Sequence, residues 1–318
     1  MNEDVPKMTR GGLLSVVTPA YNEAANLPVL HQRLVAVLVG LPWEWIVVDD
    51  HSSDHTFGVI ARLAERDRQV RGFRLARNCG AHTAVACGLD HAVGDAAVVM
   101  AGDLQDPPEA LPELLAHWRD GAQVVWAVRQ SAPVFSRVYY LALRRMAGLA
   151  GVPPTGADFF LVDRTVIEAF RRFGEQHTSI HALITWMGFR QSTITCGKQP
   201  RQHGQSGWTL RKKVNMLIDS ITAFTSAPIR LMTYVGFATA LAGFLYAAFV
   251  FVHALGGRPV QGWASLMVVV LVVGGIQMLM MGVLGEYVWR ALDETRRRPR
   301  YLIEESTEPE AHEVPVRQ

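Results

Sequence analysis

Two long stretches without a charged residue constrain what this chain can fold into. They run from Leu231 to Leu255 and from Ala264 to Gly285. Each is long enough to cross a bilayer core, which takes about 20 apolar residues in a helix. Two buried helices of a large soluble core are the alternative, but neither stretch alternates polar and apolar faces. We therefore expect a two-helix transmembrane hairpin.

Positive charges are distributed unevenly around these stretches. The turn between them, residues 256–262, contains one cation, Arg258. Cations cluster before and after the hairpin at Arg211, Lys212, Lys213, Arg230, Arg290, Arg296, Arg297, Arg298 and Arg300. The positive-inside bias then places both termini in the cytoplasm. Residues 1–12 have no apolar core segment, so they do not resemble a secretory signal.

Overall charge and cysteine content exclude several classes. The net charge is only +2, and a nucleic-acid partner would require a broad basic excess to neutralise phosphates. The three cysteines show no CxxC spacing, which argues against a zinc site or a disulfide framework. We expect small buried thiols in a reducing compartment. These cysteines are Cys79, Cys87 and Cys196.

The first half of the chain alternates β-rich and helical patterns. Such an order is typical of an α/β fold with a mostly parallel sheet and helices on both faces. The strands are predicted at Leu13–Thr18, Trp43–Asp49, Val70–Ala76, Val98–Met100 and Gln123–Val128. The helices are predicted at Ala24–Val39, Asp54–Arg66, His82–Val93 and Pro108–Arg119. Ligands of open sheets of this kind bind outside the carboxyl ends of the strands.

The remaining patterns complete the predicted domain organisation. Further elements are a helix over Ser136–Leu149 and strands over Gly156–Val162 and Gln191–Cys196. Residues 206–226 show helical apolar spacing beside cations, which indicates a helix in the membrane interface; a surface helix packed on the head is the alternative. The expected regions are a flexible N-terminus (1–12), an α/β domain (13–205), an interfacial segment (206–229), the hairpin (230–289) and a C-terminal tail (290–318), solvated from Glu305 onward.

The first candidate site is the segment Pro19-Ala20-Tyr21-Asn22-Glu23. It follows the first predicted strand directly, so Pro19 and Asn22 would set the bend from strand to helix. Glu23 falls near the predicted helix start, where the helix dipole favours a carboxylate. Taken alone, the segment is equally consistent with a capped helix.

The second candidate site is the acidic run Asp49-Asp50-His51-Ser52-Ser53-Asp54. Its carboxylates and hydroxyls can accept hydrogen bonds from a base or a ribose. Asp54 or Ser53 also suits the cap of the next helix, which would make that residue structural. Asp49 or Asp50 is the expected ligand, because either would lie at the tip of the strand.

The third candidate site is the loop Ala101-Gly102-Asp103-Leu104-Gln105-Asp106-Pro107-Pro108. Asp103 and Gln105 are two positions apart and would share one side of an extended segment. Mg²⁺ commonly uses one or two carboxylates together with substrate phosphates and water. Asp106 or Pro107 could instead simply start the next helix, and spacing alone leaves metal binding open.

Together with Arg77-Asn78-Cys79-Gly80, these three loops resemble the ordered motifs of the polyisoprenyl-phosphate glycosyltransferases of glycosyltransferase family 2, which have the GT-A fold. That group includes dolichol-phosphate mannose synthase and the bacterial undecaprenyl-phosphate glucosyl and aminoarabinosyl transferases. The resemblance covers residues 13–301, including the segment Arg201-Gln202-His203-Gly204-Gln205-Ser206 and the two-span anchor. No single motif is decisive, but their order and spacing are specific as a set.

The resemblance implies a role for each site residue. The nucleotide pocket would be formed by Pro19, Tyr21, Glu23, Asp49, Asp50, Arg77 and Gly102. Asp103 and Gln105 would hold Mg²⁺ or Mn²⁺ on the diphosphate. Guanidinium groups pair bidentately with phosphate oxygens, and Arg129, Arg137 and Arg201 match the family's phosphate-binding arginines. The lipid phosphate would meet Arg137, Arg201, Ser206, Arg211 and Lys212. Asp158 would orient the sugar or take a proton, unless it is only an acid at a strand start.

Two positions depart from the family pattern. Many relatives have an Asp where this chain has Ala101, so one metal ligand of an Asp-x-Asp pair is missing. Gly207 stands where relatives often carry Lys, and Arg211 or Lys212 would have to replace that phosphate contact. Weaker or water-completed metal coordination is expected, but Asp103 remains.

The resemblance implies inverting transfer of a sugar from a nucleotide sugar, with UDP favoured, to polyprenyl (undecaprenyl) phosphate at a bacterial cytoplasmic membrane. It also implies a homo-oligomer, often a tetramer. A processive polysaccharide synthase is one rival, although its Gln-x-x-Arg-Trp signature and additional spans are not visible. A catalytically weakened membrane scaffold is another, motivated by Ala101. A channel is disfavoured because the spans carry no charge.

Overall fold

The computed structural model describes residues 12–129, 159–173, 179–197, 227–255, 262–296 and 298–308. These residues belong to two compact units. One comprises residues up to 220 together with residues from 299 onward, and the other comprises residues 221–298. The expected helix over 136–149 and the interfacial segment up to residue 226 lie outside the described residues.

The first unit contains an eight-stranded sheet and six helices within the described residues. The strands are β1 (Leu14–Ala20), β2 (Trp43–Asp49), β3 (Val70–Leu75), β4 (Ala96–Val99), β5 (Val124–Arg129), β6 (Phe159–Asp163), β7 (Gln191–Cys196) and β8 (Ile303–Ser306). The helices are α1 (Leu27–Val37), α2 (Thr56–Arg66), α3 (Ala81–His91), α4 (Leu111–Arg119), α5 (Arg164–Arg171) and α6 (Ile180–Trp186), and a 3₁₀ turn (Pro108–Ala110) precedes α4.

The sheet is mostly parallel, as the sequence predicts. Its strand order is β7-β5-β6-β4-β1-β2-β3-β8. The strand pairs β1–β2, β1–β4, β2–β3 and β5–β7 are parallel. Only β6 and β8 run against their neighbours. The carboxyl ends of β1, β2 and β4 therefore lie at one edge, beside each other.

Alternating strand residues supply two apolar faces, and helices cover both. One core joins Val16, Val47 and Val98 to the leucines of α1 and α4. On the opposite face α3 packs closely on β1, because a Cβ at Gly88 would overlap Cγ1 of Val17. Successive side chains of a strand point to opposite faces, so both helical layers are fixed by the same strands.

The segment after the hairpin is part of the sheet rather than a solvated tail. β8 pairs antiparallel with β3, with Arg74 opposite Glu305 and Phe73 opposite Ser306. The expectation of a solvated tail from Glu305 onward is therefore wrong for Glu305 and Ser306. The short segment has no strong apolar alternation, and its backbone pairing with the edge of β3 stabilises it instead.

The second unit contains two helices, α7 (Ala227–Leu255) and α8 (Trp263–Thr295). Segments 229–250 and 266–293 are long and apolar enough to cross a membrane. Large apolar side chains along them are exposed, including Phe237, Phe244 and Leu266. The alternative of two buried core helices is therefore wrong. The two helices meet where a Cβ at Gly236 would lie 3.3 Å from Cε of Met280.

Candidate nucleotide and metal site

The three loops predicted to carry chemistry converge at the carboxyl edge of the sheet. The amide of Asp50 donates to the carbonyl oxygen of Ala20 at 2.9 Å, and the amide of Met100 donates to that of Val17 at 3.0 Å. The first loop therefore leaves the sheet between the second loop, after β2, and the third loop, after β4. The acidic loops therefore lie within reach of one another.

Pro19 lies inside β1 rather than after it, opposite Val48 of β2. The pairing of β1 with β4 ends at Val17 and Val99. In a parallel strand, alternate residues bond to opposite neighbours. Ala20 bonds toward β2, so Pro19 faces the β4 side beyond the end of that pairing. The missing N–H of Pro19 thus costs no ladder hydrogen bond.

Asn22 makes the bend and connects the first two loops. Its φ is 56°, a left-handed conformation that Asn tolerates better than most residues. Its amide donates to Oγ of Ser52 at 2.9 Å. Its Oδ1 accepts from the amide of Ser53 at 2.9 Å. Tyr21, the residue before it, is 48% exposed, which leaves an aromatic ring open at this edge.

Glu23 lies before α1, which begins three residues later than predicted. Its carbonyl oxygen accepts from the amides of Asn26 and Leu27, and its Oε2 accepts from Nδ2 of Asn26 at 2.5 Å. The Glu23 amide donates to Oγ1 of Thr56 at 2.9 Å. In the second loop, Asp54 accepts from the amide of Thr56 at 3.0 Å, which supports the structural interpretation of Asp54.

Asp49 is fully buried and its carboxylate is engaged on both oxygens. Oδ1 accepts from the amide and the hydroxyl of Ser52. Oδ2 accepts from Nη1 of Arg74 at 3.3 Å. The geometry makes Asp49 an anchor of its own loop. Direct contact of Asp49 with a nucleotide therefore stays a prediction that these contacts do not favour.

Asp50 is 4% exposed and holds the loop after β3. Its two oxygens accept from the amides of Cys79, at 2.6 Å, and Gly80, at 2.8 Å. Burial raises the pKa of the Asp50 carboxyl, and these amide hydrogen bonds oppose that rise. Arg77, within the same loop, is exposed at this edge. Asp50 thus brings Arg77 close to the first two loops.

The third loop is a tight turn rather than the extended segment expected. Leu104 has φ 60° and is completely buried. Oδ1 of Asp103 accepts from the amide of Gln105 at 3.1 Å, and Asp106 closes the loop by accepting from the amide of Ala101 at 3.2 Å. A strained backbone of this kind persists only where its surroundings hold it. Asp106 therefore shapes the loop, and the helical turn begins only at Pro108.

Gly102 connects the third loop to the first. A Cβ there would meet Cγ2 of Thr18 at 3.4 Å, Cγ of Glu23 at 3.6 Å and Cδ2 of Leu27 at 3.6 Å. These are ordinary van der Waals distances, so the third loop runs alongside Glu23 and the start of α1 at Gly102. The structure brings together Glu23, Gly102 and Asp103, as the sequence predicts for one pocket.

The donor set of the third loop fits a hard divalent cation. Asp103 supplies a carboxylate and Gln105 an amide oxygen, both on one turn. No group of three or more His, Cys, Asp or Glu in the part of the chain that the structure describes forms a complete cation cage. Mg²⁺ typically keeps several waters and takes one or two carboxylates plus substrate phosphates. A cation completed by a diphosphate is therefore compatible with these residues.

Several predicted site residues lie outside the described residues: Arg137, Asp158, Arg201, Ser206, Arg211 and Lys212. Arg129 ends β5 opposite Cys196. Their predicted roles at the phosphates and the sugar stay predictions.

Sequence reasoning missed Arg74. It lies on β3 and donates to Asp49 and to the carbonyl oxygen of Ser52, each at 3.3 Å. The available signal was a charged residue one position before the end of β3, the strand that leads into the loop of Arg77.

Comparison with known proteins identifies the family of this chain. Residues 15–194 match the family described as glycosyl transferase family 2, so the chain belongs to that family and is a glycosyltransferase. Residues 227–290 match the GtrB C-terminal hairpin, and the chain has that hairpin as α7 and most of α8.

Relatives with related names cover nearly the whole chain. A bactoprenol glucosyl transferase from a Shigella flexneri prophage is 32% identical over 92% of this chain and 98% of its own. An undecaprenyl-phosphate 4-deoxy-4-formamido-L-arabinose transferase of Pseudomonas paraeruginosa is 35% identical over 92% of this chain and 89% of its own. An uncharacterized glycosyltransferase of Synechocystis is 36% identical over 91% and 94%.

Solved structures show the fold. Glucosyl-3-phosphoglycerate synthase from Mycobacterium tuberculosis, in complex with Mn²⁺, UDP and glucosyl-3-phosphoglycerate, superposes with a TM-score of 0.51 at 18% identity. The match covers 67% of this chain and 78% of that one. The GT-A-like architecture expected from the sequence is confirmed.

Proposed function

We propose that this protein transfers a sugar from a nucleotide sugar to polyprenyl phosphate at the cytoplasmic face of a bacterial membrane. UDP is the preferred nucleotide, and the products are a polyprenyl-phosphate sugar and a nucleoside diphosphate. The convergence of the three loops at one sheet edge, in a family 2 chain that carries the hairpin, supports the proposal most directly.

The nucleotide would lie along the first two loops. Tyr21 offers an exposed ring for stacking against a base, and Arg77 supplies a cation for phosphate oxygens. Asp49 and Asp50 hold these loops in place through their buried hydrogen bonds. UDP is favoured by the solved relative that contains it.

Mg²⁺ or Mn²⁺ would be held by Asp103 and Gln105 with the diphosphate and water. When bound, such a cation neutralises the charge of the departing nucleoside diphosphate. Leu104 and Asp106 keep the Asp103 carboxylate on its turn. With Ala101 in place of a second acid, fewer protein oxygens are available for the cation.

The acceptor would be the phosphate of the lipid. A phosphate monoester has a second pKa of about 6 and is largely ionised at neutral pH, so it needs no strong general base before it attacks the anomeric carbon. Orientation and charge stabilisation remain the main tasks of the protein. Arg129, Arg137, Arg201, Ser206, Arg211 and Lys212 are assigned to the phosphates, and Asp158 to the sugar. The names of the bactoprenol and undecaprenyl-phosphate relatives support a lipid acceptor.

The second candidate is a membrane scaffold that has lost activity, for which Ala101 is the one motivating observation. The deciding experiment uses the full chain in lipid nanodiscs with a short polyprenyl phosphate, Mg²⁺ or Mn²⁺ and a panel of UDP-linked sugars. We expect a single-sugar lipid product, detected by mass spectrometry, together with release of UDP. No transfer across the panel would favour the scaffold.

Membrane topology and assembly belong to the same proposal. Both termini would lie in the cytoplasm with the turn near Arg258 outside, and the chain would form a homo-oligomer, as a tetramer in the simplest case. Cysteine labelling of the turn from the outside and mass measurement of the detergent-solubilised chain test these two statements.

A further inference from the structure

We propose that Glu304 of β8 is a positioning residue of the nucleotide site. This inference rests on the proposed function, because it assigns a residue to the binding of the nucleotide donor. Glu304 lies in the segment that follows the hairpin, far in sequence from the three loops. It reaches the second loop through Arg74 and His51.

Arg74 is the first connection. Its Nε donates to Oε2 of Glu304 at 3.2 Å, while Nη1 donates to Oδ2 of Asp49 at 3.3 Å. Its Nη2 donates to the carbonyl oxygen of Ser52 at 3.3 Å. One guanidinium thus joins β8 to both ends of the turn between Asp49 and Ser52. A fork of donors in fixed geometry transmits orientation better than a single point charge.

His51 is the second connection. Its Nδ1 lies 3.4 Å from Oε2 of Glu304 and 3.1 Å from the carbonyl oxygen of Leu75. His51 has φ 57°, an unfavourable backbone conformation that surrounding contacts must maintain. His51 follows the two acids of the loop and precedes Ser52. The carboxylate of Glu304 therefore holds both His51 and Arg74.

The connection continues into the first loop. Oγ of Ser52 donates to Oδ1 of Asp49 and accepts from the amide of Asn22. Asn22 lies between Tyr21 and Glu23, the two side chains assigned to the nucleotide. A series of direct contacts thus leads from Glu304 through Arg74, Asp49 and Ser52 to the nucleotide-binding loop.

The same strand pair carries a second ion pair that offers a matched control. Arg71 pairs with Glu308 and with Glu44. Arg71 lies opposite Ile46 within β2, whereas Arg74 lies opposite Asp49 at its carboxyl end. Loss of Glu308 should therefore weaken the junction of β3 with the C-terminal segment and leave the loops unaffected.

The experiment compares Glu304→Ala, Glu304→Gln and Glu308→Ala in the full chain. UDP binding is measured by calorimetry with Mn²⁺, and the transition temperature by thermal unfolding. We expect Glu304→Ala to weaken UDP binding about threefold, within the range of a partly exposed ion pair. Glu304→Gln, which retains an acceptor oxygen, should lose less. Glu308→Ala should lower the transition temperature and leave UDP affinity unchanged.

Steady-state kinetics provide a second readout. Glu304 touches no reacting atom, so Glu304→Ala should raise KM for the nucleotide sugar and leave kcat unchanged. Equal UDP affinity in the Glu304→Ala variant and the wild type, or equal weakening by Glu308→Ala, would overturn the inference. Absence of UDP binding by the wild type would instead contradict the proposed function, and the inference would fall with it.

Discussion

The backbone amide of Asn22 donates to the hydroxyl of Ser52 at 2.9 Å, so the loops after β1 and β2 form one unit. Ser52→Ala removes that acceptor and the hydroxyl that donates to the buried Asp49. We expect a loss of about 1–3 kcal/mol in the free energy of unfolding and weaker UDP binding. Chemical denaturation and calorimetry measure the two effects. Ser53→Ala is the control, because it keeps the hydrogen bond from the Ser53 amide to Oδ1 of Asn22. It should change the free energy of unfolding and UDP binding less.

Asp103 is the proposed cation ligand of the third loop. Asp103→Ala should lower metal-dependent sugar transfer about a hundredfold or more, because the charge on the leaving diphosphate is no longer neutralised. Transfer to polyprenyl phosphate is measured by the release of the product. Asp120→Ala, an exposed acid at the end of α4, should retain full activity. Unchanged metal-dependent transfer by Asp103→Ala would refute the assignment.

Ala101 occupies the position of the absent second acid. Ala101→Asp adds a carboxylate to the cation site and leaves the backbone amide that donates to Asp106 in place. We expect a severalfold lower Mn²⁺ concentration for half-maximal transfer, since an additional carboxylate strengthens binding of a hard cation. Ala101→Asn gives a neutral comparison. If neither variant changed the Mn²⁺ concentration for half-maximal transfer, the cation would have to lie elsewhere.

Burial raises the pKa of the Cys79 thiol, which gives a pH-dependent prediction. The thiolate is the reactive form, so alkylation of Cys79 at neutral pH should be slower than that of a free thiol, whose pKa is about 8.5. The rate should keep rising as the pH increases beyond that value. Cys87 is completely buried and its pKa is also raised, so it should stay unmodified. Mass spectrometry of alkylated peptides follows both sites, and a Cys79 rate that levels off below pH 8 would contradict the prediction.

Gly88 sets the distance between α3 and β1. Gly88→Ala should destabilise the fold by about 1–3 kcal/mol, because its Cβ would overlap Val17. Gly58 on α2 has open space around its Cα, and Gly58→Ala should be neutral or stabilising by about 0.5–1 kcal/mol through helix propensity. Thermal unfolding separates the two, and equal effects would show that the close approach has no energetic consequence.

Most of the sheet and the site could be predicted because the signals are local. Apolar runs that end in Asp49 or Met100 identify strands and the edge at which ligands bind. The observed boundaries differ from the predicted ones where the backbone is unusual. Pro19 remains within β1 because its nitrogen faces no partner. Leu104 turns the third loop by burying its side chain.

Contacts between distant parts of the chain could not be predicted. The pairing of β8 with β3 depends on backbone hydrogen bonds, which the sequence of a short polar segment does not indicate. For the same reason the two roles of Arg74 were not visible, since its partners Asp49 and Glu304 become neighbours only after the sheet has formed.

The position of β8 also has a consequence for biogenesis. The ribosome releases residues 303–306 only after both hydrophobic helices have been made, yet this strand covers the edge of β3. Until then the nascent head exposes unpaired backbone groups along β3, a surface that invites pairing with other chains. Synthesis of both hydrophobic helices thus precedes closure of the sheet, and a chain stalled between these steps would be prone to aggregate.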